Sequence, residues 1–142
     1  PNAPLITLPW GLNLAIAVAG SDHHQMQNVV SPKENYWTTR YHMQALTHVQ
    51  KLLEVAMIPE TFAKIKVPVF MGYYYKDEVN QDNVVSVEAM LDMFDQLGTP
   101  VSQREKMAFP NTGDHVMTSY ITSQDVESVT KETIRFFDLH LH

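Results

Sequence analysis

The sequence predicts an α/β chain whose C-terminal half alternates strand, helix, strand, helix. Three observations carry this. Residues 67–74, VPVFMGYY, are short, continuous and apolar, as in a strand buried on both faces of a parallel sheet. Residues 84–97 then switch to helical spacing, with Val84, Val87, Met90, Leu91, Phe94 and Leu97 on one face. A second strand candidate over 103–109 and a closing helix repeat the pattern. Strand–helix–strand with a right-handed crossover implies a parallel pair. Two strands are too few for a stable open sheet, so the pair reads as the edge of a larger one.

The earlier elements are simpler. Residues 1–20 are apolar but broken by Pro1, Pro4, Pro9 and Gly11, which argues against a long helix through the first ten. Gly11 to Ala19 fits a short helix with Leu12, Ala15, Ile16 and Ala19 on one face, and Gly20 suits its end. Residues 21–37 are polar and aperiodic and read as loop. His23 and His24 sit there, and the solvated reading is preferred over a metal site because no third ligand stands at helical spacing beside them. Residues 38–58 give the strongest helix signal, with His42, Ala45, Leu46, Val49, Leu52, Leu53, Ala56 and Met57 at three- and four-residue steps. Thr38 or Thr39 can cap it, and His42 reads as a packed histidine on its stripe. Pro59 stops this helix and opens a shorter one to Lys64.

The remaining elements have clear punctuation. Asp82 or Asn83 would cap the helix over 84–97, and Gly98 would end it. Thr122-Ser-Gln-Asp125 matches a capping box before the last helix. Val126, Val129, Thr133, Ile134, Phe137 and Leu141 would face inward there, with His140 and His142 uninvolved at the terminus. The organisation is thus an apolar lead-in and helical region over 1–64, then the strand–helix–strand–helix portion over 65–142, within one domain.

Composition excludes several function classes. A formal net charge of −6 argues against a nucleic-acid partner. The absence of cysteine removes disulfides, thiolate catalysis and cysteine-bound zinc. No run is long and apolar enough for a transmembrane helix, and the N-terminus lacks the pattern of a signal peptide. The compartment is not fixed by the sequence, with the cytoplasm as the default expectation. The abrupt opening at Pro1 reads as the start of a segment from a longer protein.

In parallel α/β sheets, functional residues gather on loops beyond the C-terminal ends of the strands. Asp77 and Asp82 follow the first strand candidate, and His115, in Asn111-Thr-Gly-Asp-His115, follows the second. Asp82 could also serve only as a helix cap. Asp114 is expected to face solvent.

These residues carry a resemblance. Lys66-Val-Pro-Val-Phe-Met-Gly72, Asp82-Asn-Val-Val-Ser86 and Asn111-Thr-Gly-Asp-His115 together resemble the C-terminal part of an α/β-hydrolase. The branch is that of serine aminopeptidases, lysophospholipases and monoacylglycerol lipases. There the triad runs serine, acid, histidine along the chain. The resemblance implies Asp82 as the acid and His115 as the histidine. Asp82 is preferred to Asp77 because Val84-Val85-Ser86 follow it in the family's order. The chain departs from the pattern over Tyr73 to Gln81, a longer gap than usual between glycine and acid, which leaves Asp77 as a rival. No Gly-x-Ser-x-Gly is present, and Gly20-Ser21-Asp22 has the wrong surroundings, so the resemblance puts nucleophile and oxyanion hole upstream. Residues 1 to about 15 would follow the sixth strand, and residues 16–64 would form the cap over the site.

The implied function is hydrolysis of a small-molecule ester or amide by the full-length protein, with no cofactor and no metal. The segment alone is expected to be inactive, and it could self-associate where the missing N-terminal half would pack. Two alternatives stay open: a non-catalytic α/β interaction module, and epoxide or haloalkane hydrolysis with an upstream aspartate nucleophile.

Overall fold

The computed structural model describes residues 11–25, 32 and 35–140. The proline-broken lead-in before Gly11, part of the loop expected over 21–37, Leu141 and His142 lie outside the described residues. The chain divides into two compact units, one ending at Met57 and one running from Ile58. The described residues include both helices and small sheets, giving mixed α/β content: one two-stranded antiparallel sheet and one two-stranded parallel sheet among them. No described helix is long and apolar enough to cross a membrane.

In the first unit, helix α1 spans Gly11–Ala19. It ends as the sequence predicts: Gly20 takes a left-handed φ of 68° and its N–H donates to the Ile16 carbonyl at 2.9 Å. Two short strands follow, β1 (His23–Gln25) and β2 (Arg40–His42), paired antiparallel with His23 opposite His42 and His24 opposite Tyr41. This corrects the loop reading at residues 23–25. Strands built from His, Gln, Arg and Tyr show no apolar alternation, so nothing in the sequence marks them.

The ribbon also changes the next helix. Because residues 40–42 are extended, helix α2 runs Met43–Ala56 and neither Thr38 nor Thr39 caps it. His42 holds the cap position without a side-chain cap bond. It is an exposed ribbon residue rather than a packed histidine on a helical stripe. The buried residues of α2 are Met43, Thr47 and Gln50, while Val49, Leu52 and Val55 are exposed. The stripe the spacing picks out is therefore not the buried one. A bond from Met43 N–H to the Asp22 carbonyl, 2.8 Å, fixes where the helix starts and hence which face turns inward.

The second unit opens with α3 (Pro59–Phe62), with proline at its first turn. Strand β3 (Val69–Tyr73) and strand β4 (Arg104–Ala108) pair in parallel, from Val69 opposite Arg104 to Tyr73 opposite Ala108. Helix α4 (Val87–Asp95) and a 3₁₀ turn (Val101–Gln103) connect them, and α5 (Val126–His140) closes the unit. Within β3 only Met71 is buried and the rest is half-buried, which corrects the expectation of a strand covered on both faces.

The core gathers Phe62, Met71, Phe94 and Leu97, contributed by α3, β3, α4 and the turn after α4. Thr99 locks the approach to β3. It is 3% exposed, and its hydroxyl donates to the Val67 carbonyl at 2.8 Å, with the Ile65 carbonyl at 3.3 Å. Thr99→Val keeps the shape but leaves these part-buried acceptors without their donor. We expect a loss of about 1–2 kcal/mol, read as a lower denaturant midpoint at unchanged slope.

Three helix ends differ from expectation. Ser86, not Asp82 or Asn83, caps α4, its Oγ accepting from Ala89 N–H at 3.2 Å. Gly98 does not end α4, which stops at Asp95 with Gln96 at its C-cap; Gly98 is not left-handed, and its amide donates to the Phe62 carbonyl at 3.1 Å. Asp125, not Thr122, caps α5, accepting from Ser128 N–H at 3.2 Å. Thr122 instead donates to the Val116 carbonyl at 2.9 Å.

The inward stripe of α5 includes Val129 and Phe136, while Phe137 and Ile134 are exposed, which reverses the expected roles of the two phenylalanines. Phe136 stacks on Phe70 of β3 at 5.5 Å, and His140 packs on Phe136 at 4.4 Å, so His140 is a packing residue rather than a bystander. Arg135 ties α5 to β4 through Glu105 and holds Glu132 on its own helix.

Candidate active site

Both sequence-derived site residues lie just past the C-terminal ends of β3 and β4. The route from β3 to Asp82 is the segment that departs from the family pattern, and it folds back on itself. Tyr75 and Gln81 form an antiparallel bridge, and Lys76 N–H donates to the Asn80 carbonyl at 2.9 Å. Asp82 N–H then donates to the Tyr74 carbonyl at 3.0 Å. The extra residues therefore project as a small hairpin, and Asp82 returns to the strand end as though they were not there.

This geometry separates the two acidic candidates. Asp77 sits at the hairpin tip, where its carboxylate accepts from the Val79 and Asn80 amides at 3.0 and 2.8 Å and from Asn80 Nδ2 at 2.9 Å. Those bonds, the Asn80 side chain first, hold its carboxyl below the ordinary range. Asp82 instead points one oxygen at His115: Oδ2 to Nδ1 is 2.6 Å. Its other oxygen accepts from the Val84 and Val85 amides at 2.8 and 2.9 Å. The cap-like bonds expected of Asp82 thus exist, but they close the turn before α4 and coexist with the histidine contact.

The environment suits an ionised carboxylate at Asp82. Burial works against the charge on Asp82, yet the His115 hydrogen bond and the two backbone amides outweigh it and lower its pKa below the usual value. The Asp82 side chain is only 4% exposed, whereas that of His115 is 39% exposed. The acid is thus withdrawn from water and the imidazole reaches it. An ionised Asp82 is acceptor-only, so Nδ1–H of His115 donates to it and Nε2 is the nitrogen not engaged by the carboxylate. Among the described residues, Nε2 has no hydrogen-bond partner.

The His115 loop is held on both sides. Thr112 is fully buried, its hydroxyl donating to the Phe109 carbonyl at 3.0 Å and its carbonyl accepting from Gln124 N–H at 3.0 Å. Gly113 takes a φ of 72°, which a glycine adopts without strain, and turns the chain toward His115. Asp114 is half-buried and closes the next turn by accepting from Val116 N–H at 2.8 Å, which corrects its expected outward orientation. Thr112 was not singled out from the sequence; a threonine inside a polar loop carries no periodic signal.

No family model, curated protein or solved structure matches the chain.

His23 and His24, in the first unit, part company. His24 pairs with Tyr41, ring to ring at 5.1 Å, whereas His23 and His42 meet around Asp22.

The Asp82 pairing has a pH signature. A carboxyl whose folded pKa lies below its unfolded value of about 3.9 contributes stability above that pH and loses it as pH falls through the folded value. Denaturant midpoints followed downward from pH 6 should therefore fall more steeply below about pH 4 in the wild type than in Asp82→Asn. Parallel curves would mean that the ionised Asp82 contributes nothing to folding.

Proposed function

We propose that this chain supplies the acid and the base of a serine hydrolase of the α/β-hydrolase type, acting on an ester or amide. The observation that carries the reading is the 2.6 Å contact between Asp82 and His115 just past the ends of adjacent parallel strands. The order acid, then histidine, each after a strand and before a helix, is the family's order. The motifs around Asp82 and His115 add to it.

In this reading, Nε2 of His115 takes the proton of a serine hydroxyl as that oxygen attacks the substrate carbonyl. The resulting imidazolium is stabilised by the Asp82 carboxylate. The histidine then passes the proton to the leaving alcohol or amine. In the second half-reaction it deprotonates water, which attacks the acyl-serine; the acyl–oxygen bond breaks, the proton returns to the serine oxygen and the carboxylic acid leaves. The two Asp82 bonds to backbone amides keep the carboxylate from rotating during this exchange. The nucleophile and the oxyanion donors come from residues other than these 142.

A fluorophosphonate probe tests the assignment. The 142-residue chain alone should stay unlabelled. The full-length protein should label on a serine, and His115→Ala should abolish the labelling. Labelling of the chain alone, or labelling indifferent to His115, overturns the proposal. An unlabelled but active full-length protein would point instead to an aspartate nucleophile.

A further inference from the structure

A second cluster of chemistry-bearing side chains lies in the first unit, at the foot of the β1–β2 ribbon. Asp22 precedes β1, His23 is the first residue of β1, and His42 is the last of β2, directly opposite His23. The Asp22 carboxylate faces both imidazoles, with Oδ1 2.6 Å from His23 Nδ1 and Oδ2 3.5 Å from His42 Nε2. The two rings lie 4.4 Å apart, centroid to centroid. One donor atom from each of the three residues falls within 4.8 Å of the others.

We propose that Asp22, His23 and His42 form a binding site for a divalent transition-metal ion of the zinc kind. Two imidazole nitrogens and one carboxylate oxygen match the donors that such ions prefer, and a fourth position is left for water. At metal–ligand distances of about 2.0–2.2 Å, tetrahedral neighbours sit about 3.4 Å apart. The His42–Asp22 separation already fits. The His23–Asp22 hydrogen bond opens by under an ångström once its proton gives way to metal. The set is poor for magnesium or calcium, which want oxygen donors nearly throughout.

The ribbon gives the site its purpose. Its strands have three residues each, and all their side chains are exposed or only half-buried. A two-stranded ribbon of that kind is marginal by itself. A metal joining Asp22 and His23 to His42 would clamp the two strands together at the foot of the ribbon. Its binding energy would add to the stability of that unit. The site is a clamp on the fold rather than a reaction centre, and the acyl-transfer reading does not depend on it.

Isothermal titration of the full chain with Zn2+, and separately with Mg2+, tests this at neutral pH. We expect one Zn2+ bound per chain and no Mg2+. Asp22→Asn and His42→Asn should each weaken Zn2+ at least about tenfold. His48→Asn, on an exposed histidine of α2, should leave it unchanged. Equal binding in all four proteins, or no saturable Zn2+ binding, overturns the proposal. The wild-type chain also carries a check that needs no variant. Imidazole nitrogen resonances of His23 and His42 should shift on adding Zn2+ while those of His48 and His140 hold, and the opposite pattern overturns it.

Discussion

If the proposed function holds, His115→Ala in the full-length protein is expected to lower kcat by about 10⁶-fold with little change in KM. In the proposed mechanism the imidazole acts on the proton in flight and does not hold the substrate, so the loss falls on the chemical step. Asp82→Asn should cost less, about 10⁴-fold, and for a different reason. An amide at this position still accepts from the Val84 and Val85 amides, so the turn before α4 survives. Its other end becomes a donor and turns toward Nδ1, which forces the proton onto Nε2. The base then presents N–H where it needs a lone pair. Asp77→Asn is the matched control: its bonds stay inside the hairpin, and turnover should not change. Wild-type turnover in His115→Ala would refute the acid–base assignment, whatever happens at Asp82.

The largest effect on stability is expected at Gly98. A methyl group there would sit 2.1 Å from the Ala63 carbonyl oxygen and 2.9 Å from its carbon. Lys66 Nζ, at 2.4 Å, can swing away, but the backbone at the end of α3 cannot. Gly98 N–H is also bonded to the Phe62 carbonyl, so relief of the clash breaks that bond and shifts Phe62 in the core. Gly98→Ala should destabilise the second unit by about 3 kcal/mol. Removing Lys66 should not rescue it. Gly20→Ala is the comparison: nothing lies within 4 Å of the added methyl, and only the left-handed backbone opposes it. That change should cost about 1 kcal/mol. Equal midpoints for Gly98→Ala and wild type would show that the α3–α4 junction is looser than its contacts.

The sequence makes some of this legible. The apolar run ending at Tyr73 announces β3, and the glycine after Ala19 announces the end of α1, because each has a local physical cause. Choosing Asp82 over Asp77 took the motif Val84-Val85-Ser86, since nothing in a polar stretch shows that residues 75–81 fold back as a hairpin. Phe136 rather than Phe137 turns inward because it meets Phe70 of β3, a tertiary contact that spacing along α5 does not show. The ribbon at Asp22, His23 and His42 was invisible for a different reason. Its residues are polar, its strands are short, and the partners are far apart in the chain, so only tertiary pairing brings the three side chains together.

The parallel pairing of β3 and β4 also governs when the candidate site comes into being. Asp82 and His115 are 33 positions apart, and each hangs from a strand that must first find the other. Before that pairing, the chain has to close a long loop through α4, an entropic barrier that local turns and helices do not face. The hairpin carrying Asp82 and the turn carrying His115 can form early, on a timescale of microseconds, as separate pieces. The hydrogen bond between them arises only after the strands register. The imidazole is therefore an ordinary solvated histidine throughout the early folding of the chain, and it gains its fixed orientation against Asp82 only at the moment the sheet closes.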